Sequence, residues 1–167
     1  MNDEITIRDA RPDERDAQLA VTLAAYEQYS TIMPHWELYR KMQRNLLTTD
    51  TVAERIVAER AGRLVGGVLL FPAEANVYAS AGIKPDWPEL RMLAVAPEAR
   101  GLGVGKALLG ECVRRARAAG HAYLGLHTED VMAVALRMYE RAGFVRVPEL
   151  DFRPTADLVV KGYRLTL

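Results

Sequence analysis

A glycine-rich run between Leu93 and Ala107, Leu-Ala-Val-Ala-Pro-Glu-Ala-Arg-Gly-Leu-Gly-Val-Gly-Lys-Ala, carries the strongest chemical signal of the chain. An apolar strand enters a turn with Gly101, Gly103 and Gly105 at every second position, and the turn opens a helix. Glycines at that spacing let the backbone curl with its N–H groups pointing inward. A helix N-terminus behind them adds more donors, so the segment predicts an anion site that needs no side-chain charge. Arg100 and Lys106 place two cations at its rim. A phosphate or pyrophosphate is the expected ligand. Spacing narrows the choice. A P-loop needs four residues between its first glycine and Gly-Lys-Ser/Thr, whereas three separate Gly101 from Gly105, and Ala107 offers no hydroxyl for magnesium. A dinucleotide fingerprint needs glycine where Lys106 or Leu108 stands. Both readings fail.

The elements around this turn follow from periodicity and punctuation. Ile5–Arg8 alternates as a short strand. Pro12 and neighbouring acids start a helix over 12–30 that carries Leu19, Leu23 and Tyr26, and Pro34 ends that run. A second helix over 35–47 carries Trp36, Tyr39, Met42, Leu46 and Leu47. Strands at 52–59 and 64–71, joined by Ala61-Gly62, read as a hairpin. Residues 72–88 have no period, and a loop that long leans towards function or mobility. Strand Leu90–Val95 leads through the turn to a helix over 104–119, with Leu108, Leu109, Cys112, Val113 and Ala116 on one face and Gly120 after it. Then come a strand Ala122–His127, a helix Val131–Arg141 before Gly143, and strands Phe144–Val147 and Leu158–Leu165. The order β-α-α-β-β-β-α-β-α-β-β predicts one α/β (α+β) domain over 1–167. Its mixed, largely antiparallel central sheet is flanked by helices, an antiparallel meander followed by a βαβ crossover.

Composition closes off other classes. The 167 residues carry 22 Lys+Arg against 22 Asp+Glu, so no electrostatic footprint for general nucleic-acid binding exists. Half the residues are apolar and 26% charged, which excludes global disorder. One cysteine makes neither an internal disulfide nor a multi-cysteine zinc site, and no metal is expected. The opening is acidic, with Asp3 and Glu4, and no apolar run approaches the ~20 residues that span a bilayer. A cytoplasmic protein without membrane partners is the expectation.

The signature R-x-x-G-x-G/A fits Arg100 to Gly105. With the strand before it, the helix after it and the downstream run Leu136-Arg-Met-Tyr-Glu-Arg-Ala-Gly-Phe144, the chain resembles the GNAT superfamily of acyl-CoA-dependent N-acetyltransferases from about residue 5 to 166. The resemblance implies acetyl-CoA as cosubstrate, with its pyrophosphate on the amides of Gly101, Leu102, Gly103, Val104, Gly105 and Lys106 beside Arg100. It implies a pantetheine arm paired like a strand with Leu93, Ala94 and Val95, where one backbone N–H polarises the thioester carbonyl. Acyl transfer would then be direct, from thioester to a neutral primary amine. Tyr139 matches the tyrosine that reprotonates the departing thiolate. A phenol near pKa ~10 reaches an alkyl thiolate near ~8.5 at a penalty of about 2 kcal/mol, small beside an acylation barrier. Met132 departs from the pattern, standing where the family often has an asparagine that hydrogen-bonds the pantetheine.

Glu89 matches in spacing the glutamate that serves as general base in histone-acetylating members, and Asp86, Glu129 and His127 are rivals for that role. By the same resemblance the acceptor, a small-molecule or peptide amine, meets the first two helices and the loop before the signature strand. Tyr29, Trp36, Trp87 and His127 are the substrate-binding candidates, although Trp36 and Tyr39 at helical spacing equally suit a core. A non-catalytic acyl-CoA sensor of the same fold is the alternative, and homodimers are common in the family.

Overall fold

The computed structural model describes residues 4–167, so Asp3 of the acidic opening lies outside them. In chain order the elements are β1 (Thr6–Asp9), α1 (Arg15–Tyr26), α2 (Trp36–Thr48), β2 (Glu54–Arg60), β3 (Arg63–Phe71), β4 (Glu89–Val95), α3 (Val104–Ala118), β5 (Tyr123–Thr128), α4 (Ala133–Arg141), β6 (Val145–Arg146), β7 (Phe152–Thr155) and β8 (Leu158–Thr166). The strands follow the order β1-β2-β3-β4-β5-β8-β6 in an eight-stranded sheet, with β7 on β8. Only the β4–β5 pair is parallel among the strand registers described, and α3 is its crossover, as the βαβ reading expects.

The Cα trace forms two compact units, one of the chain up to Leu70 with Met92–Cys112, the other of Phe71–Arg91 with Val113–Leu167. In the first, β1, β2 and β3 make the antiparallel meander. Ala61 (φ 49°) and Gly62 (φ 74°) close the β2–β3 hairpin, both in the left-handed conformation that a two-residue turn needs to match strand twist. Ile56, Val57, Val68 and Leu69 are fully buried, together with Leu47 of α2 and Leu108 of α3. A Cβ on Gly66 would stand 2.8 Å from Val104 Cγ1 and 2.9 Å from the Ala94 carbonyl, so α3 and β4 pack on β3 as closely as backbone allows. The expected helix over 12–30 is α1 between two 3₁₀ turns, Pro12–Glu14 and Glu27–Tyr29. Glu14 explains the first of these. Its carboxylate receives the Arg11 backbone N–H and both terminal nitrogens of Arg8, whose Nη2 and Nε also donate to Glu59 on β2.

In the second unit β8 is the common partner, with β5 on one side, β6 on the other at Tyr163 and Arg164, and β7 at its first residues. Two expectations are corrected here. The strand at 144–147 pairs over Val145–Arg146 only, and a further strand, Phe152–Thr155, precedes the last one. It is short and contains Pro154, and its burial does not alternate, so periodicity carries no trace of it. The Arg146–Asp151 ion pair and the donation of Gly162 N–H to Asp151 fix the connection between them. The aperiodic 72–88 segment holds two 3₁₀ turns and is anchored by buried Tyr78 and Ile83. No helix of the described residues is long and apolar enough to cross a membrane.

Candidate functional site

The glycine-rich turn is built by backbone. After a 3₁₀ turn at Pro97–Ala99, Arg100 is extended, and Gly101 (φ 78°) and Gly103 (φ 83°) take left-handed conformations before α3 begins at Val104. A side chain at either glycine would meet no neighbour within 4 Å. Their identity is therefore set by conformation, since packing makes no demand there. Val104 is buried against β3 and pins the helix start, while Gly101, Leu102 and Gly103 are exposed. Lys106 is exposed in the first turn of α3. Arg100 donates from Nη2 to the Ala25 carbonyl at 3.1 Å, in the last turn of α1, where cations are favoured.

Immediately upstream, Met92 sits at φ 55° inside β4, a left-handed non-glycine residue that interrupts regular strand geometry. Leu93 follows, its carbonyl accepting the Tyr26 hydroxyl at 3.1 Å, and Ala94 is buried. The parallel β4–β5 register has one pair, Glu89 opposite Gly125, with Gly125 N–H donating to the Pro88 carbonyl at 2.9 Å. Tyr29 and Trp36 belong to an aromatic cluster of the first unit. Tyr26 meets Tyr29 and Tyr39 at 5.8 and 5.9 Å between ring centroids, Trp36 stacks on Tyr39 at 6.2 Å, and Arg40 lies over Trp36.

In the second unit Glu89, Trp87 and His127 come together. Trp87 Nε1 donates to Glu89 Oε1 at 3.2 Å, and His127 Nδ1 lies 3.3 Å from Glu89 Oε2. The other ring nitrogen of His127 is 2.8 Å from the Leu150 carbonyl. Both side chains are nearly sealed, 3% exposed for Glu89 and 2% for His127. Burial pushes the Glu89 carboxyl up, against the opposing pull of His127, Trp87 and Arg91. Tyr78 packs on the imidazole at 4.1 Å and Phe152 at 5.5 Å between ring centroids. Trp87 also meets Tyr123, and Arg164 lies over both rings. Glu129 is buried with Oε2 lacking a hydrogen-bond partner, and burial pushes its carboxyl up; Asp86 is exposed.

Tyr139 is buried on α4, its ring 5.8 Å from Phe144, which donates its N–H to the Tyr139 carbonyl as Gly143 (φ 101°) ends the helix. Met132 is buried just before α4, and its sulfur accepts the Thr128 hydroxyl. Among the described residues no group of three or more His, Cys, Asp or Glu side chains is arranged to hold a metal. Sequence reasoning missed Phe152 and the Leu150 carbonyl around the Glu89–His127 contact, while Tyr78, which it places on the acceptor side, packs on the imidazole. It also passed over Gly125 and Gly162, isolated glycines inside strands, which are a sequence signal for a close approach.

Residues 20–144 match the family model described as the acetyltransferase (GNAT) family. The chain belongs to that family. This GNAT chain is 33% identical over 153 residues to the mycothiol acetyltransferase of Acidothermus cellulolyticus, covering 85% of itself and 45% of that protein. It thus spans less than half the length of this curated relative. The fold is similar to that of the paia N-acetyltransferase of Thermoplasma acidophilum, solved in complex with coenzyme A (TM-score 0.74, 18% identity, 98% and 99% of the two chains covered). A GNAT-family acetyltransferase of Staphylococcus aureus Mu50 gives a TM-score of 0.72 at 18% identity, covering 98% of this chain and 99% of that one.

Proposed function

We propose that this GNAT domain moves an acetyl group from acetyl-CoA to a primary amine by direct attack. The observation that carries the reading is the exposed Gly101–Gly103 turn, left-handed at both glycines and free of neighbours within 4 Å of an added Cβ, at the start of α3. Such a nest suits a pyrophosphate, and the coenzyme A complex of the Thermoplasma relative supports the choice of ligand. The amides from Gly101 to Lys106, with Arg100 beside them, hold the pyrophosphate, and Leu93 to Val95 pair with the pantetheine arm. When bound, acetyl-CoA supplies the acetyl group as an activated thioester. A backbone N–H of Leu93–Val95 donates to the oxygen on which charge develops, a contribution worth ~10²–10³ in rate where side-chain donors have been removed.

Glu89 takes the proton of the acceptor ammonium, so that a neutral nitrogen forms the new C–N bond as the C–S bond breaks. Tyr139 gives its hydroxyl proton to the departing sulfur. Tyr29, Trp36 and Trp87 shape the acceptor side. Thiol release from acetyl-CoA in the presence of an amine panel tests the reading. Release that depends on the amine supports it. CoA binding by calorimetry without any amine-dependent release would favour a non-catalytic acyl-CoA sensor instead.

A further inference from the structure

Glu89 and His127 stand 38 residues apart in sequence and meet inside the second unit, where their side chains are nearly sealed from water. Their hydrogen bonds fix a proton count. A carbonyl oxygen carries no hydrogen, so the 2.8 Å contact between His127 Nε2 and Leu150 O requires Nε2 to be protonated. The indole N–H of Trp87 already fills Glu89 Oε1. What remains is Nδ1 facing Oε2 at 3.3 Å. With no proton there, two lone pairs oppose each other and a carboxylate is buried without a cation. With two, N–H meets O–H and the imidazolium is buried without an anion. One proton satisfies both atoms, and the pair is then neutral whichever atom carries it.

The surroundings are shaped to this pair. A Cβ on Gly125, which lies opposite Glu89 in the strand register, would collide with Glu89 Oε1 and Trp87 Nε1. One on Gly162, opposite His127, would stand 2.8 Å from Leu150 Cβ and 3.3 Å from His127 Nε2. Titratable and charged neighbours are few. Tyr78 on the imidazole has its hydroxyl pushed well above the ordinary tyrosine range by burial, so it stays neutral, and Arg91 lies over the Tyr78 ring at 5.2 Å.

We infer that Glu89 and His127 share one proton as a unit, and that His127 is the positioning residue that keeps Glu89 able to accept a proton from the acceptor ammonium. The role in catalysis rests on the proposed reading of Glu89 as the base. With the shared proton on Nδ1, Glu89 is a carboxylate beside an imidazolium. An N–H bond of the ammonium breaks and an O–H bond forms on Glu89; the pair holds two protons only transiently, in the arrangement disfavoured at rest, and returns to one as a proton leaves to solvent. Without the imidazole, burial pushes the carboxyl towards its neutral acid form with only Trp87 and Arg91 opposing it, so the carboxylate able to accept a proton is less populated.

Nitrogen NMR of the folded wild-type chain, which has three histidines, reads the pair directly. His127 should keep Nε2 protonated, and its Nδ1 signal should change when the contact with the Glu89 carboxyl is removed. In Glu89→Gln its ring should be neutral with Nδ1 bare. In His127→Gln the acidic limb of the kcat/KM profile should move up by about one pH unit or more. A His127 that titrates like a solvent imidazole, alike in wild type and Glu89→Gln, would overturn the shared proton whatever the rates show. An unmoved acidic limb in a folded His127→Gln enzyme would overturn the positioning role. If the NMR result holds but Glu89→Gln keeps wild-type kcat/KM, the base reading falls and the positioning role with it, while the shared proton stands.

Discussion

The turn at Gly101–Gly103 and the pocket around Glu89 and His127 both depend on glycine, for opposite reasons. Gly101 and Gly103 have positive φ and empty space around an added Cβ. Gly125 and Gly162 have ordinary strand conformations and no space at all. The first pair gives the backbone an exposed left-handed turn; the second leaves room for buried side chains to face each other. A binding surface made of backbone should therefore govern affinity, and a sealed group of side chains should govern proton transfer and stability.

Tyr139→Phe should break the comparison most sharply if the division is wrong. The exchange keeps the buried ring beside Phe144 and removes one oxygen. We expect kcat to fall by ~10²–10⁴ with CoA affinity and melting temperature near wild type. An acyl donor whose leaving thiol is more acidic should suffer a much smaller fall. Equal losses with both donors, accompanied by a lower Tm, would mark Tyr139 as structural.

Gly103→Asp tests the other side. A carboxylate in the nest should cost about 10²-fold in CoA affinity, the loss of roughly two charge-assisted hydrogen bonds, while circular dichroism stays native. Unchanged affinity by calorimetry would remove the turn from the CoA site. Gly125→Ala should reverse that pattern: CoA affinity near wild type and a stability loss of about 1–3 kcal/mol in denaturant unfolding, because Glu89 and Trp87 must give way to the new methyl.

The smallest effect comes from a second buried carboxylate, Glu14, which has an arginine where Glu89 has a histidine. The hydrogen-bonded Arg8 guanidinium holds its carboxyl down to about 2, below the ordinary value of 4.5. A pKa lower in the folded state contributes stability above the unfolded value, and that contribution is lost as pH falls from about 4.5 towards about 2. On the order of 1 kcal/mol should be gone by pH ~3 after allowance for solvent screening. Melting temperatures from pH 7 to 3 should accordingly fall more steeply in wild type than in Glu14→Gln.

Most helices and strands were legible because their apolar periods are long and their ends carry Gly or Pro, as at Gly120, Gly143 and Pro97. The turn was legible because left-handed backbone conformations write themselves as glycine. Strand β7 was not, since Phe152-Arg-Pro-Thr155 owes its conformation to pairing with β8 rather than to any local preference. The left-handed φ of Met92 was invisible as well, because methionine carries no preference for it. Spacing with family resemblance picked out Glu89 and His127 separately. Nothing in either neighbourhood announces that the two touch, as the contact is made by register between distant strands.

Cys112, the sole cysteine, is fully buried on α3, in the helix that begins at the glycine turn. Its sulfur is therefore a clock already installed in the protein. A thiol reagent can react only when α3 lifts away from its packing, so the labelling rate counts openings of that helix in the native state. Anything that braces the start of α3 should slow the clock, and no label or engineered probe need be added to hear it.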